Sequence, residues 1–137
     1  MKVYEVEGKI RSEWNSEVRA IIDTWTTYMI SLEEFKTSVL DNSLLFAKAN
    51  NGQAWIVDSS QAKGLFSKEQ LAFIDQEVFP AFHKAGIKYF ITIKPTNSVF
   101  TEMTVKQYSA LSGPHGVQLV EVSNVDQAIM WLKSNAK

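Results

Sequence analysis

The sequence predicts an α/β fold in which about four helices pack on a mixed sheet of four or five strands. The central observation is an apolar strand, Ala54–Asp58, followed by a capped helix from Ser67 to Gly86 and a second apolar strand, Tyr89–Ile93. Strands joined through a helix run parallel, almost always with a right-handed crossover. Alternating strands before this unit, and a strand and a helix after it, complete the prediction.

Two strands are predicted at the start of the chain. Val3–Gly8 alternates polar and apolar residues, and the pattern allows either a longer strand or a hairpin through Ile10 and Trp14. After a turn, Glu17–Met29 is rich in β-branched and aromatic residues, which favour a strand. We expect the two strands to pair as an antiparallel edge hairpin.

The first helix is predicted to begin at Ser31, because Ser31 and Glu34 have the spacing of a capping box. Apolar residues recur at helical spacing after this start. Polar residues at positions 41–43 weaken the pattern, so it predicts either one bent helix or two short ones. Gly52 suits a left-handed turn at the end of this segment.

The second helix has the same start signal, with Ser67 and Gln70 as its capping box. Pro80 lies inside the apolar pattern, where it removes one backbone hydrogen bond and should bend the helix. Gly86 is the expected left-handed stop. After the next strand, residues 97–111 are predicted to be helical, although their periodicity is poor.

The end of the chain predicts a strand and a final helix. Val117–Val122 alternates, and Ser123 and Asn124 offer a cap for a helix that starts at Val125. The predicted order of elements is therefore β-β-α-β-α-β-α-β-α. Because the 137 residues contain neither an internal repeat nor a linker, we expect one domain that spans residues 1–137.

Composition argues against several classes of function. The chain has no cysteine, which excludes disulfides and thiolate metal sites, and its net charge of −1 comes without a basic block for nucleic acid. It lacks the apolar run of a signal peptide and the roughly 20 apolar residues that span a bilayer. We expect a cytoplasmic protein that binds no nucleic acid and does not insert stably into membranes.

Four segments occur in an order that resembles a known family. They are residues 25–35 (WTTYMISLEEF), 54–60 (AWIVDSS), 77–93 (EVFPAFHKAGIKYFITI) and 125–132 (VDQAIMWL). Together they resemble the bacterial SpoIIAA-like family, which is grouped with STAS domains and with CRAL-TRIO lipid-binding domains. The resemblance covers the chain from Trp25 to its end.

The resemblance implies a mode of action as well as a fold. STAS proteins of the antagonist type are not enzymes. They bind a protein partner, and phosphorylation of a Ser at the start of the helix after the central strand breaks that binding. Ser67 is the residue nearest that position. The antagonist signature Asp-Ser-Ser-Gly-Leu is replaced there by Phe-Ser-Lys-Glu-Gln, and an Asp-Ser-Ser sequence lies earlier, at positions 58–60.

Three serines are therefore candidate phospho-acceptors: Ser67, and Ser59 and Ser60 in the preceding loop. A phosphate at a helix N-terminus meets free N–H groups and the positive end of the helix dipole. The alternative is that Ser67 only caps its helix and that the other two are turn residues. Asp58, at the carboxyl end of the central strand, is a candidate to hold a ligand or a divalent cation, or else to fix the loop.

Aromatic residues are more numerous than the apolar stripes of the helices require. The chain has four Trp, eight Phe and four Tyr. These additional rings can line an apolar pocket, a dimer face or a partner surface. The alternative is that they fill the core. The candidates for a ligand or partner surface are Trp25, Tyr28, Phe66, Phe73 and Phe79.

No motif predicts catalysis or a cofactor. The sequence has neither a Gly-x-Ser-x-Gly elbow nor a Gly-rich phosphate loop, and His83 and His115 lack the spacing of metal ligands. We expect no catalytic residues, no metal and no cofactor. A hydrolase-type enzyme would need Asp58 to converge with a Ser or His, or Asp58 and Asp23 to face each other across strands.

These observations favour a non-catalytic binding domain that acts on a protein partner or, as a homodimer, on a second copy of itself. The alternative is a carrier of an apolar small molecule or lipid, in the manner of CRAL-TRIO domains. That alternative predicts a closed cavity lined by aromatic residues and larger than a single water.

Overall fold

In the computed structural model, which describes residues 1–63, 67–93 and 117–135, six strands form one mixed sheet. They are β1 (Lys2–Val6), β2 (Ile10–Asn15), β3 (Ala20–Trp25), β4 (Ala54–Asp58), β5 (Tyr89–Ile93) and β6 (Gln118–Val122). Their order in the sheet follows their order in the chain. The first three strands run antiparallel, and β3 to β6 run parallel. The predicted α/β class with a mixed sheet is confirmed.

The sheet has six strands rather than four or five because the N-terminal segment folds back twice. Gly8 takes a left-handed conformation, with φ of +76°, in the turn between β1 and β2. In the next turn, the Asn15 side chain accepts hydrogen bonds from the backbone N–H groups of Glu17 and Val18. Arg19 is also left-handed there, with φ of +52°. The strand predicted over residues 17–29 therefore extends only from position 20 to position 25.

Three helices are seen in the described residues, and two of them contain a π-helical stretch. Helix α1 spans residues 32–49 and consists of Leu32–Lys36, the π-helical Thr37–Leu44 and Leu45–Ala49. Helix α2 spans residues 68–85 and consists of Lys68–Phe73, the π-helical Ile74–Val78 and Phe79–Ala85. Helix α3 is Val125–Asn135. The helix predicted over residues 97–111 lies outside the described residues.

The predicted start signals are confirmed. The Ser31 hydroxyl accepts the Glu34 N–H at 3.0 Å, and the Ser67 hydroxyl accepts the Gln70 N–H at 3.1 Å. In both boxes the side chain at the third helical position accepts the N–H of the cap in return. Two of the four free N–H groups at each helix start are thereby satisfied.

The irregularities predicted inside the helices take the form of π-helical turns. The weak pattern at positions 41–43 lies within the π-helical stretch of α1, so the chain stays helical there instead of dividing into two helices. Pro80 is the second residue of the last segment of α2, and Phe79 separates it from the π-helical stretch. Proline has no N–H to return to the turn before it, which removes the regular helical hydrogen bond at this position.

The end of α1 differs from the prediction. Asn51 takes the left-handed conformation, with φ of +58°, whereas Gly52 does not. A Cβ atom at Gly52 would lie 2.9 Å from the Cβ of Ala47, which is fully buried. Glycine is needed here because the chain passes close to the helix, not because of its backbone angle. At the end of α2, Gly86 is left-handed as predicted, with φ of +91°.

The sheet separates two apolar clusters. Helices α1 and α2 cover one face, and the cluster beneath them contains most of the aromatic side chains. Helix α3 covers the other face, where Ala128 and Leu132 pack with Ala54, Ile56 and Ile91 of the parallel strands. The strand β4 is buried on both faces, as expected for a central parallel strand with helices on either side.

Candidate functional site

A carboxyl group is buried in the face of the sheet that α1 and α2 cover. Asp23 lies on β3 and is 2% exposed. Its Oδ2 atom accepts a hydrogen bond of 2.7 Å from the indole Nε1 of Trp55 on β4. Its Oδ1 atom accepts a hydrogen bond from the hydroxyl of Ser12, which lies directly opposite on β2. Three neighbouring strands therefore hold this side chain in place.

Burial changes the acidity of this group. Removal from water raises the pKa of Asp23 from 3.8 to about 6, although the hydrogen bonds from Ser12 and Trp55 act in the opposite direction. None of the interactions that set this pKa in the described part of the chain comes from a positively charged group. Above that pKa, Asp23 is a buried carboxylate with two hydrogen-bond donors and, among the described residues, no counter-charge.

An apolar cavity of about 30 Å³ adjoins Asp23. The other lining residues are Trp25, Trp55, Val57 and Phe90 from the sheet, Phe35 and Val39 from α1, and Ile74, Val78, Phe79 and Phe82 from α2. One buried water needs roughly 10–15 Å³ of such space and two to four polar partners. The cavity exceeds a single water in volume, yet Asp23 is the one described lining residue whose side chain carries oxygen.

The rings that line the cavity are fixed against one another. The Trp55 indole stacks on Phe82 with ring centroids 4.4 Å apart and planes at 26°. Phe79 meets Phe90 edge to face at 5.2 Å. Offset stacks and edge-to-face contacts are the favourable geometries for aromatic pairs. Packed aromatic rings therefore form much of the described cavity lining, which contains one carboxyl group, that of Asp23.

A second feature is an open cleft of about 650 Å³, formed by the segments that follow the carboxyl ends of β3 and β4. Its lining residues are Tyr28, Met29, Ile30, Leu32, Ser67, Glu69 and Gln70. The Gln70 amide donates a hydrogen bond of 2.6 Å to the backbone carbonyl of Ile30, which ties the first turn of α2 to the chain after β3. Met29 is 76% exposed and Leu32 is 39% exposed. Two large apolar side chains therefore reach solvent at this cleft.

The three candidate phospho-acceptors lie in different environments. Ser67 is exposed and lines the cleft. Ser59 is fully buried, and its hydroxyl forms a hydrogen bond with the hydroxyl of Tyr28. Ser60 donates to Asp58 Oδ1 from its backbone N–H at 3.0 Å and from its hydroxyl at 2.6 Å. Asp58 thus fixes its own loop, and of the three serines Ser67 is the most exposed, whereas Ser60 is partly buried.

The aromatic candidates are buried rather than displayed on a surface. Trp25 and Phe79 are brought together in the wall of the cavity. Phe73 is buried next to the ring of Phe35, with centroids 5.6 Å apart. The Tyr28 ring is buried at the base of the cleft. The remaining candidate, Phe66, lies outside the described residues, as does His115.

Asp23 and Asp58 do not face each other. In the pairing of β3 with β4, Asp23 lies opposite Val57 and Asp58 lies opposite Thr24. Because successive side chains of a strand point to opposite faces, the two carboxyl groups lie on opposite faces of the sheet. One of the two arrangements considered for a hydrolase, in which Asp23 and Asp58 face each other, is therefore absent. The strand register places the two residues one position apart.

Sequence reasoning did not find the cluster of Ser12, Asp23 and Trp55, although the signal was present. Asp23 falls between Ile21 and Trp25 at every second position of β3, so the alternation places its carboxyl group on the face that buries these two residues. A strand pattern with an acidic residue on its apolar face indicates a buried polar group that needs hydrogen-bond donors. The identity of the donors depends on strand register, which the sequence did not show.

No family model, curated protein or solved structure matches this chain. Within the described residues, no group of three or more His, Asp or Glu side chains is arranged to hold a metal ion. None of the helices in that part of the chain is long and apolar enough to cross a membrane. The functional proposals therefore rest on the geometry of the cavity beside Asp23 and of the cleft beside Met29 and Leu32.

Proposed function

We propose that this chain is a non-catalytic binding domain that acts through a protein partner, which docks at the cleft beside Met29 and Leu32. The observation that carries the proposal is the exposure of these two apolar side chains, 76% and 39%, in one concave region. Ligands of open α/β sheets bind outside the carboxyl ends of the strands, which is where this cleft lies. Methionine side chains also adapt to apolar partners of different shapes. The resemblance to STAS antagonists favours the same mode of action.

The lining of the cleft defines the chemistry of the partner. Met29 and Leu32 provide apolar contacts, and Glu69 adds a negative charge to the rim. A complementary partner segment would bury an apolar side chain between Met29 and Leu32 and place a Lys or Arg beside Glu69. Ser67 lies in the same cleft, so a phosphate on its hydroxyl would add negative charge and bulk where the partner docks.

A pair of matched substitutions tests the docking site. Met29→Glu places a charge in the cleft, whereas Met130→Glu places the same charge on α3, on the opposite side of the sheet, at a residue that is 66% exposed. Affinity capture from the native cells should recover a protein with the wild type and with the Met130 variant, but not with the Met29 variant. If both variants retain the protein equally, the cleft is not the docking site. Should the partner be a second copy, Met29→Glu will convert a dimer to monomers in sedimentation.

The regulatory role of Ser67 has its own test. Asp and Asn are both good helix caps, so Ser67→Asp and Ser67→Asn both preserve the start of α2. The negative Asp variant should lose the captured partner, and the neutral Asn variant should keep it. Normal capture by the Asp variant would rule out a phosphoswitch at Ser67 but would not contradict the docking site.

The aromatic cavity favours a second candidate function, the binding of an apolar small molecule. Pockets for drug-sized ligands occupy about 300–1,000 Å³, whereas this cavity measures about 30 Å³. A lipid does not fit in this conformation, so the candidate narrows to a molecule of a few non-hydrogen atoms. Xenon is a suitable probe, because it enters small apolar cavities without needing hydrogen bonds. A crystal under xenon pressure with no density in the cavity would eliminate this candidate.

A further inference from the structure

Within the described residues, the Asp23 carboxylate accepts hydrogen bonds from two donors but is not paired with a charge. The groups that face it are the Ser12 hydroxyl from β2, the Trp55 indole from β4, and apolar side chains of α1, α2 and β5. None of these facing groups titrates or carries a charge in the described part of the chain. Burying a carboxylate without a counter-charge is costly, and a cation beside it offsets part of that cost, less the cost of removing the cation itself from water.

A guest in this cavity, whether water or an ammonium group, has one described lining side chain, that of Asp23, to accept its hydrogen bonds. Water in proteins typically makes about three hydrogen bonds, and here Asp23 supplies the oxygen of the lining. Trp attracts cations more strongly than the other aromatic residues, and Trp25 and Trp55 are both among the lining residues, although one face of Trp55 is already stacked on Phe82. An apolar guest without charge would fill the space but leave the carboxylate uncompensated.

We infer that the cavity binds a short primary alkylammonium ion, whose charged group pairs with the Asp23 carboxylate and whose alkyl group contacts the aromatic wall. The cavity of about 30 Å³ limits the ion to two or three non-hydrogen atoms, the size of methylammonium or ethylammonium. This inference deepens the second candidate function and rests on it, whereas it is independent of the protein-binding cleft.

The test compares ethylammonium chloride with ethanol, which has the same shape and no charge, at constant ionic strength. The readout is the indole N–H signal of Trp55 in two-dimensional NMR, because this group is bonded to Asp23. Trp131 of α3 serves as the internal control, because it packs on Tyr89 on the other side of the sheet. Ethylammonium should shift the Trp55 signal saturably, at concentrations at least tenfold lower than ethanol, and leave the Trp131 signal unchanged.

Two further measurements assign the effect to the carboxylate. Alkylammonium ions keep their charge at neutral and mildly acidic pH, as lysine does. Because the pKa of Asp23 is about 6, its ionised fraction, and with it the affinity for ethylammonium, should fall roughly tenfold from pH 7 to pH 5. Asp23→Asn keeps the size of the side chain and should abolish both the preference over ethanol and the pH dependence.

The outcomes distinguish failure of the inference alone from failure of the function on which it rests. If ethanol and xenon bind as well as ethylammonium, and Asp23→Asn changes nothing, the cavity is a small-molecule site but the cation inference is wrong. If none of the three probes moves the Trp55 signal or occupies the cavity, the inference and the second candidate function both fail. A selective, pH-dependent shift that is lost in Asp23→Asn supports both.

Discussion

Replacing Asp23 with asparagine should remove a large pH dependence from the stability of this fold. Burial raises the pKa of Asp23 from 3.8 to about 6, so the native state binds this proton more tightly than the unfolded chain does. The corresponding stabilisation is fully present below the unfolded pKa of 3.8 and is lost as the pH rises through about 6. A difference of about two pKa units corresponds to about 3 kcal/mol in the free energy of unfolding.

The assay is urea unfolding of the wild type and of Asp23→Asn, followed by Trp fluorescence from about pH 4 to about pH 7.5. The asparagine can accept from Trp55 through its carbonyl oxygen and donate to Ser12 through its amide, so the cluster keeps its shape. As the pH rises across this range, the variant should gain about 2.5 kcal/mol of stability relative to the wild type. Any stability difference between the variant and the wild type that is the same at every pH does not contribute to this change.

Glu34 provides a control of opposite sign. Its pKa is lowered by the hydrogen bonds from Lys9 and Ser31, so Glu34→Gln should lose stability near neutral pH and regain parity with the wild type as the pH falls. A stability difference between Asp23→Asn and the wild type that stays constant over the whole pH range would refute the reasoning. In that case burial would not raise the pKa of Asp23, and its carboxylate would carry no net penalty near neutral pH.

Three further substitutions test the local structure by urea unfolding. Trp55→Phe removes the indole donor from Asp23, so it should cost about 2–3 kcal/mol near neutral pH and raise the pKa of Asp23 further, as an NMR titration would show. Ser67→Ala removes the cap of α2 and should cost about 1 kcal/mol, and an unchanged midpoint would argue against the capping box. Gly52→Ala forces a Cβ atom to within 2.9 Å of Ala47 and should cost about 1–3 kcal/mol, whereas a neutral result would show that the helix end can shift.

The parts of the fold that the sequence predicted correctly depend on local signals. The boxes at Ser31 and Ser67, and the stop at Gly86, involve residues within a few positions of one another, and all three are present. The parallel pairing of β4 with β5 follows from the helix between them, because a crossover of that length cannot form an antiparallel hairpin turn. The final helix, with Ala128 and Leu132 buried, follows from its periodicity in the same way.

The errors lie where two conformations fit the same local pattern. Val3–Gly8 and the residues after it suit either one strand or a hairpin, and the left-handed Gly8 that decides between them is a single residue. At the end of α1, Asn51 and Gly52 both tolerate a left-handed conformation, and the choice depends on the distance to Ala47 across the turn. Such choices depend on packing between elements, which a local pattern does not contain.

The cluster around Asp23 could not be assembled from the sequence for the same reason, and its energetics explain why it stands out. Single domains are stable by about 5–15 kcal/mol, so a buried charge that costs about 3 kcal/mol at neutral pH is a large fraction of the total. An asparagine would keep both hydrogen bonds without that cost. Its carbonyl oxygen can accept from the Trp55 indole, and its amide can donate to the Ser12 hydroxyl. Buried groups with strongly shifted pKa values occur most often at functional sites. The Asp23 carboxylate, held by three strands beside an aromatic cavity with room for a small ion, is therefore the place to test binding of an alkylammonium ion against a purely structural role.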